Sequence, residues 1–87
     1  MSWTLYFSKH AEKDAVRIKR AGLQAKVDAL LDLLEQNPFT TPPPYEKLVG
    51  DLQGYFSRRI NIQHRLVYRV DKNAKRVFVE RMWTHYG

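Results

Sequence analysis

The chain begins with an alternating pattern of side chains and then changes to a helical one. Apolar side chains occupy every second position from Trp3 to Phe7, which predicts a short strand. Ser8 can accept hydrogen bonds from the free N–H groups at the start of a helix, and Glu12 favours the positive end of that helix. One face of this first helix carries apolar residues: Ala11, Ala15 and Ile18.

A break at Gly22 separates this helix from a second, more regular one. The apolar residues of the second helix follow the spacing of one helical face: Leu23, Val27, Leu30, Leu31 and Leu34. The pattern ends at Asn37 because Pro38 disfavours helical geometry in the residue before it. The proline-rich segment that follows, residues 38–45, cannot be a helix interior or a central strand. We therefore expect an extended connector that delivers Glu46 to a defined place.

The second half of the chain predicts three strands. Their patterns cover residues 55–62, 65–70 and 76–82, and residues 71–74 (Asp-Lys-Asn-Ala) are typical of a hairpin turn. The resulting order, β-α-α-β-β-β, predicts a single α+β domain over residues 1–87. Two helices would cover one face of a mostly antiparallel, twisted sheet and leave the other face open to solvent or to a ligand.

The length and composition fit one small globular domain. The 87 residues are 44% hydrophobic and 28% charged, which is a globular balance. No apolar run approaches the ~20 residues of a membrane helix. The first ten residues also lack the layout of a signal peptide, so we expect a cytoplasmic protein with no membrane partner. The absence of cysteine excludes disulfides, thiolate metal sites and a cysteine nucleophile.

Positive charge is concentrated in the second half of the chain. The net charge is +6, and residues 45–87 carry nine basic and four acidic groups against six and five in residues 1–44. Arginine outnumbers lysine six to three in the second half, and its planar fork suits phosphate. A polyanion is therefore the leading partner class, with nucleic acid ahead of a membrane surface and an unspecific basic surface as the alternative.

Several arginines of the predicted sheet belong to its open face. In the strand that begins at Arg65 the alternate apolar residues form the core face, so Arg65 and Arg69 belong to the opposite one. Arg58 and Arg59 are consecutive and must point to opposite faces. The hairpin register leaves open which of these two lies beside Arg65. A solvated basic face with no specific ligand is the alternative interpretation.

The three histidines show no metal-ligand spacing, and we expect neither a metal nor a cofactor. His10 lies on an exposed helical turn, and His64 lies in a predicted turn, where a structural hydrogen-bonding role is the usual one. His85 lies near the end of the chain, where a histidine is most often surface. Trp83 and Tyr86, however, can dock this segment against the open face of the sheet.

A carboxylate, guanidinium groups and an imidazole are the groups that metal-independent RNA cleavage needs. A general base removes the proton from a ribose 2′-OH, which attacks the adjacent phosphorus, while arginine neutralises the charge on the phosphate oxygens. A general acid protonates the departing 5′-oxygen, so the products are a 2′,3′-cyclic phosphate and a 5′-hydroxyl. Glu46 and His85 are of the right type, but composition alone does not bring them together.

The sequence resembles the Txe/YoeB family of bacterial toxins, which is part of the RelE-like superfamily. The resemblance is carried by residues 46–48 (Glu-Lys-Leu), 52–60 (Leu-Gln-Gly-Tyr-Phe-Ser-Arg-Arg-Ile), 64–68 (His-Arg-Leu-Val-Tyr) and 85–86 (His-Tyr). It covers nearly the whole chain and is most specific between Gly54 and Tyr68. It implies a RelE-like fold and the toxin of a toxin–antitoxin system. Such a toxin is a ribosome-dependent endonuclease that inhibits translation by cutting mRNA in the ribosomal A site.

The resemblance also implies roles for single residues. The expected catalytic residues are the general base Glu46, the general acid His85 and the phosphate-stabilising Arg65. The expected substrate-binding residues are Arg59, Arg58, Lys47 and the base-stacking Tyr86. The chain departs from the family pattern at Val49, where a lysine is common, and at Trp83 and Gly87 around the terminal His-Tyr pair. We expect these departures to alter affinity or rate but to spare the chemistry.

The implied partners are the 30S A site of the ribosome, mRNA and a cognate antitoxin. An antitoxin of the YefM, Phd or Axe type would fold a disordered tail over the toxin, and family members can also form homodimers. Two other functions stay open. One is a non-enzymatic toxin of the ParE type, which resembles this architecture and acts on DNA gyrase through protein contacts. The other is a passive RNA-binding module.

Overall fold

The computed structural model describes residues 2–83 and has two helices packed on one face of a five-stranded sheet. The strands are β1 (Thr4–Phe7), β2 (Glu46–Lys47), β3 (Tyr55–Arg59), β4 (Arg65–Asp71) and β5 (Arg76–Arg81), and the helices are α1 (Lys9–Arg20) and α2 (Gln24–Gln36). The sheet order is β1-β5-β4-β3-β2, with β1 parallel to β5 and every other pair antiparallel. The predicted α+β fold is confirmed.

The ends of the helices follow the signals in the sequence. The Ser8 hydroxyl accepts a hydrogen bond from the backbone N–H of Ala11 at 3.0 Å, which caps α1 as predicted. The same hydroxyl donates to the carbonyl of Glu80 at 2.7 Å and so ties the start of α1 to β5. Gly22 has a φ of +74°, which suits the break between the helices. Helix α2 ends at Gln36, directly before Asn37 and Pro38.

The core lies between the helices and the sheet. It contains the apolar face of both helices and the core-facing residues of β4 and β5: Ala11, Ile18, Val27, Leu34, Leu66, Tyr68, Val77 and Val79. Leu66 and Tyr68 are fully buried, as the alternation along β4 predicted. Neither described helix has the length and apolar character needed to cross a membrane.

The turns set the length and register of the strands. The Asp71 carboxylate accepts from the backbone N–H groups of Asn73 and Ala74, which closes the predicted hairpin. The pattern over residues 55–62 predicted a longer strand than the one observed, since β3 ends at Arg59. There the Asn61 side chain accepts from the backbone N–H of His64 at 2.7 Å and bends the chain into a tight turn.

The connector, residues 38–45, is packed against the sheet by an aromatic cluster. The Phe39 ring meets the rings of Trp3, Tyr45 and Phe56 edge-on, with centroids 5.8–6.2 Å apart. At its end the chain pairs with β3 through the two residues of β2, a strand that the sequence pattern did not predict.

Candidate functional site

Glu46 and Arg65 meet on the open face of the sheet. A carboxylate oxygen (Oε1) of Glu46 accepts a hydrogen bond from Nη1 of Arg65 at 3.0 Å, and the same nitrogen lies 3.3 Å from the hydroxyl of Ser57. The strand register explains this meeting. Glu46 lies opposite Ser57, and Ser57 lies opposite Val67, two residues beyond Arg65 on the same face.

The two members of this ion pair differ in exposure. The side chain of Glu46 is 64% exposed, whereas that of Arg65 is 14% exposed. An ion pair with one exposed partner contributes little to stability. The geometry therefore holds a guanidinium in place and presents a carboxylate to whatever enters from solvent.

Arg59 completes the cationic part of the site. It lies directly opposite Arg65 in the β3–β4 register, so both side chains leave the same face of the sheet. This register decides the question that the sequence left open. Like charges directly opposite each other are unfavourable, and a bound anion relieves the repulsion.

A cleft of about 640 Å³ contains these three side chains. Glu46, Arg59 and Arg65 line it together with mostly apolar or small neighbours: Pro43, Pro44, Ser57, Ile60, Asn61 and Ile62. Ile62 stands at the β3–β4 turn with 89% of its surface exposed. A cleft of this size, with two cations, a carboxylate and apolar walls, can hold an anionic ligand that also carries an apolar ring.

Arg58 lies on the other side of the sheet, in the core. It is fully buried, and its guanidinium donates to the carbonyls of Pro38, Thr40 and Pro43 and to the hydroxyl of Tyr68. The expectation that Arg58 binds substrate is therefore wrong, because its N–H groups bond within the protein. Burial raises the pKa of Tyr68, and the hydrogen bond and charge of Arg58 oppose that rise.

Lys47 also points away from the cleft. It lies opposite Phe56, a core-side residue, so its side chain leaves β2 on the face opposite to that of Glu46. Lys47 lines a separate groove with Val49, which is 83% exposed. Lys47 therefore lies outside the cleft, and the expectation that it binds substrate stays a prediction.

The expected acid His85 and the expected stacking residue Tyr86 lie outside the described residues. The last described residue, Trp83, stacks on the ring of His64 with the centroids 3.8 Å apart and the planes 19° apart. His64 is buried, so its position fits the structural role expected for it, whereas His10 is exposed. The stack fixes the chain immediately before residues 84–87. Within residues 2–83, no three His, Asp or Glu side chains are arranged to hold a metal ion.

Asp14 is a buried carboxylate that the sequence analysis missed. Its oxygen Oδ2 accepts from Nε of Arg81 at 2.9 Å and from the backbone N–H of Met82 at 3.1 Å. Burial would raise the pKa of Asp14, but these hydrogen bonds and the charge of Arg81 together lower it below its ordinary value. The available signal was the position of Asp14 between Ala11 and Ile18 on the buried face of α1.

Comparison with known proteins gives a family match over nearly the whole chain. Residues 6–86 match the model of the YoeB-like toxins of bacterial type II toxin–antitoxin systems. Toxin YoeB of Mycobacterium bovis is 43% identical over 44 residues, which are 51% of this chain and 52% of that relative. The matched segment thus spans about half the length of this curated relative.

Three solved structures resemble this fold over nearly their full length. A YoeB/ParE toxin from Agrobacterium tumefaciens has a TM-score of 0.85 at 33% identity, covering 95% of this chain and 99% of that one. The YoeB chain of a heterotetrameric YoeB–YefM complex from Staphylococcus aureus has a TM-score of 0.79 at 32% identity, covering 99% and 100%. The YoeB dimer from the same organism has a TM-score of 0.82 at 31% identity, with the same coverage.

Proposed function

Because the chain belongs to the YoeB-like toxin family of bacterial type II toxin–antitoxin systems, we propose that it is a toxin that cuts mRNA on the ribosome. The reaction is an attack of the ribose 2′-OH on the adjacent phosphorus, with no metal or cofactor. The observation that carries the proposal is the contact between Glu46 and Arg65 at 3.0 Å, in a cleft that also contains Arg59.

Glu46 is the general base of this reaction. Its carboxylate is exposed, so a ribose hydroxyl can approach it and lose a proton to it. Arg65 orients the carboxylate and binds the scissile phosphate. Its fork has five N–H groups and can therefore hold both partners at once. Because the charge on the phosphate grows during the attack, these contacts strengthen in the transition state.

Arg59 binds a phosphate oxygen from the opposite strand of the sheet, and the apolar wall at Ile60 and Ile62 receives a base or sugar. Protonation of the departing 5′-oxygen stays assigned to His85, and stacking on the base to Tyr86. Both assignments rest on the family resemblance. DNA lacks the 2′-OH and is not a substrate.

The partners we propose are an antitoxin, the ribosome and a second copy of the chain. The similar staphylococcal YoeB is bound to YefM in one structure and forms a dimer in another. For this chain we propose a YefM-like antitoxin with a disordered tail, and homodimer formation. The net charge of +6 suits the 30S A site, where RNA surrounds the mRNA. Because ribosomes are cytoplasmic in bacteria, a ribosomal target implies that the toxin acts in the cytoplasm.

Replacing the base tests the reaction. Glu46→Gln keeps the size of the side chain and an oxygen for Arg65 but removes the group that accepts the proton. We expect mRNA cleavage in programmed ribosomes to fall by about 10²–10⁴-fold. The melting temperature and antitoxin binding should be unchanged, because the replaced Glu46 side chain is mostly exposed. Unchanged cleavage would show that Glu46 is not the general base. Growth arrest that persists without cleavage would favour a gyrase-type action, which a supercoiling assay detects.

Comparing two substrates tests the dependence on the ribosome. The same mRNA is presented naked and in the A site of a programmed ribosome, and the initial rates of cutting are compared. We expect the ribosomal substrate to be cut much faster, because the ribosome holds the mRNA in a geometry suited to the 2′-OH attack. Equal rates would reject the ribosome-dependent part of the proposal. Binding without cutting of either substrate would favour a passive RNA-binding module.

A further inference from the structure

Arg58 is a buried charged group that the proposed chemistry does not use. Its side chain is fully buried on the core side of β3, opposite Leu66. Within residues 2–83 its four hydrogen bonds all reach neutral oxygens: Pro38 O at 2.9 Å, Thr40 O at 2.8 Å, Pro43 O at 2.6 Å and the Tyr68 hydroxyl at 3.0 Å. Burying a charge is costly unless its hydrogen bonds compensate. The burial of the Arg58 charge therefore depends on these four hydrogen bonds.

The proline content of the connector explains why its carbonyls accept hydrogen bonds from a side chain. Proline has no backbone N–H, so a segment rich in proline cannot form a full strand ladder, and its carbonyls need other donors. Arg58 supplies them to Pro38, Thr40 and Pro43 through one planar fork. A lysine would offer three N–H groups on a single nitrogen and could not reach these carbonyls in the same geometry.

Arg58 also contacts Tyr45, the residue directly before Glu46. The guanidinium carbon lies 5.0 Å from the centroid of the Tyr45 ring. The Tyr45 ring also packs edge-on against Phe39 and Phe56, with centroids 6.2 and 5.5 Å apart. Glu46 follows immediately, in a strand of only two residues. A strand this short has little stability of its own, so its place depends on the connector before it.

We propose that Arg58 is the positioning residue of Glu46. By holding the connector against the sheet from the core side, Arg58 fixes the point at which the Glu46 carboxylate leaves β2 toward Arg65. The inference rests on the proposed function, in which Glu46 is the general base. A displacement of about 1 Å of a catalytic group can cost ~10²-fold in rate. Arg59 and Arg65 are held by the pairing of β3 with β4 on the opposite face of the sheet, so their backbone positions do not depend on Arg58's contacts with the connector.

Two variants loosen the connector to different extents. Tyr68→Phe removes the hydroxyl that accepts from Arg58 at 3.0 Å and donates to Pro38 O at 3.1 Å, and keeps the ring in the core. Arg58→Lys keeps the positive charge but loses the planar guanidinium group with its several N–H donors. We expect kcat on programmed ribosomes to fall with little change in KM, by about 10²-fold for Arg58→Lys and less for Tyr68→Phe. Because Tyr68→Phe preserves the apolar core, it keeps the test informative if Arg58→Lys fails to fold.

Amide hydrogen exchange supplies a readout that is independent of RNA. The Leu48 N–H donates to Tyr55 O at 2.9 Å, so its protection reports the pairing of β2 with β3. Both variants should accelerate exchange at residues 45–48. The control is Ile18→Val, which shortens a buried side chain of α1 and lowers stability. It should leave kcat and the exchange at residues 45–48 unchanged at a temperature where every variant is folded.

The outcomes separate this inference from the proposed function. Faster exchange at residues 45–48 together with a lower kcat supports the positioning role. Unchanged exchange in both variants overturns it, and so does an unchanged kcat when Glu46→Gln abolishes cutting. If KM rises while kcat holds, Arg58 acts on substrate binding and the inference is wrong. If Glu46→Gln cuts as fast as the wild type, the proposed base is wrong and the positioning role fails with it.

Discussion

Two consecutive arginines, Arg58 and Arg59, lie in opposite environments in this protein. Arg58 is fully buried and holds carbonyls of the connector, whereas Arg59 is exposed in the cleft beside Arg65. Their chemistry is identical, and the difference arises because successive side chains of a strand point to opposite faces. The guanidinium of Arg58 therefore bonds within the protein, and that of Arg59 lines the cleft.

Arg65 and Arg59 should respond differently to replacement by lysine. Lysine keeps the charge but cannot hold Glu46 and a phosphate oxygen with one planar group. We therefore expect Arg65→Lys to lower kcat for mRNA cleavage by about 10²–10³-fold, the usual cost of losing one positioned donor in a transition state. Arg59→Lys should mainly raise KM, because the role that we propose for Arg59 is phosphate binding. Steady-state cleavage on programmed ribosomes measures kcat and KM for the two variants. An equal fall in kcat in Arg65→Lys and Arg59→Lys would contradict different roles for the two arginines.

Among the secondary-structure elements, α1 and β5 are joined by the buried Asp14. Its carboxylate binds Arg81 and the backbone of Met82, where β5 ends. One residue later Trp83 stacks on His64. These contacts fix the place at which the chain passes to residues 84–87, the segment that contains the expected acid. A helix on the covered face of the sheet thus fixes the end of β5.

The Asp14 contact should make stability depend on pH. The folded-state pKa is lower than the ordinary value of 3.8, so the stabilisation is complete above that value and is lost as the pH falls through the folded pKa. We expect Asp14→Ala to lower the free energy of unfolding by about 2 kcal/mol at pH 7, since hydrogen bonds to a charged group contribute ~1.5–3 kcal/mol. The difference from the wild type should shrink below about pH 4, near the reference pKa of aspartate.

Thermal unfolding between pH 7 and pH 2 measures this dependence. The exposed Asp32→Ala on α2 serves as the control and should change the melting temperature little across the range. A difference between Asp14→Ala and the wild type that stays constant down to pH 2 would show that the Asp14 charge is not what stabilises the end of β5.

In the molecule as a whole, the packed core and the cleft lie on opposite sides of the sheet. The helices and the core occupy one side of the sheet, and Glu46, Arg59 and Arg65 occupy the other. The parallel pairing of β1 with β5 puts the N-terminal strand at one edge of the sheet, and β2 forms the other edge. The cleft therefore opens next to the β2 edge. Substitutions in the cleft should change activity more than stability.

The charge distribution predicts a steep dependence of RNA binding on salt. Each phosphate that a cation neutralises releases counterions, with a slope of about −0.7 in log K against log salt concentration for single strands. We expect Arg59→Met to reduce the slope for a 2′-O-methyl RNA, which binds but cannot be cut, by about this amount. Lys13→Met, an exposed cation on α1, should leave the slope unchanged. Binding that is insensitive to salt would argue for a protein target.

The ends of the helices and one hairpin could be predicted from the amino-acid sequence. Ser8, Gly22 and Pro38 set the bounds of the helices because caps and breaks depend on a few neighbouring residues. Asp71 closed a hairpin for the same reason. The residue types for RNA cleavage could also be read from the sequence, and the family resemblance supplied their assignment.

Which residues lie next to each other across the sheet follows only from the packed fold. The turn at Asn61 ends β3 at Arg59 and places Arg59, rather than Arg58, beside Arg65. A shift of one residue in that register would exchange the two arginines between the core and the cleft. The burial of Asp14 and the pairing of β2 with β3 likewise depend on contacts between residues far apart in the chain. Local patterns determine which face a residue shares with its neighbours, but only the packed sheet determines what lies opposite.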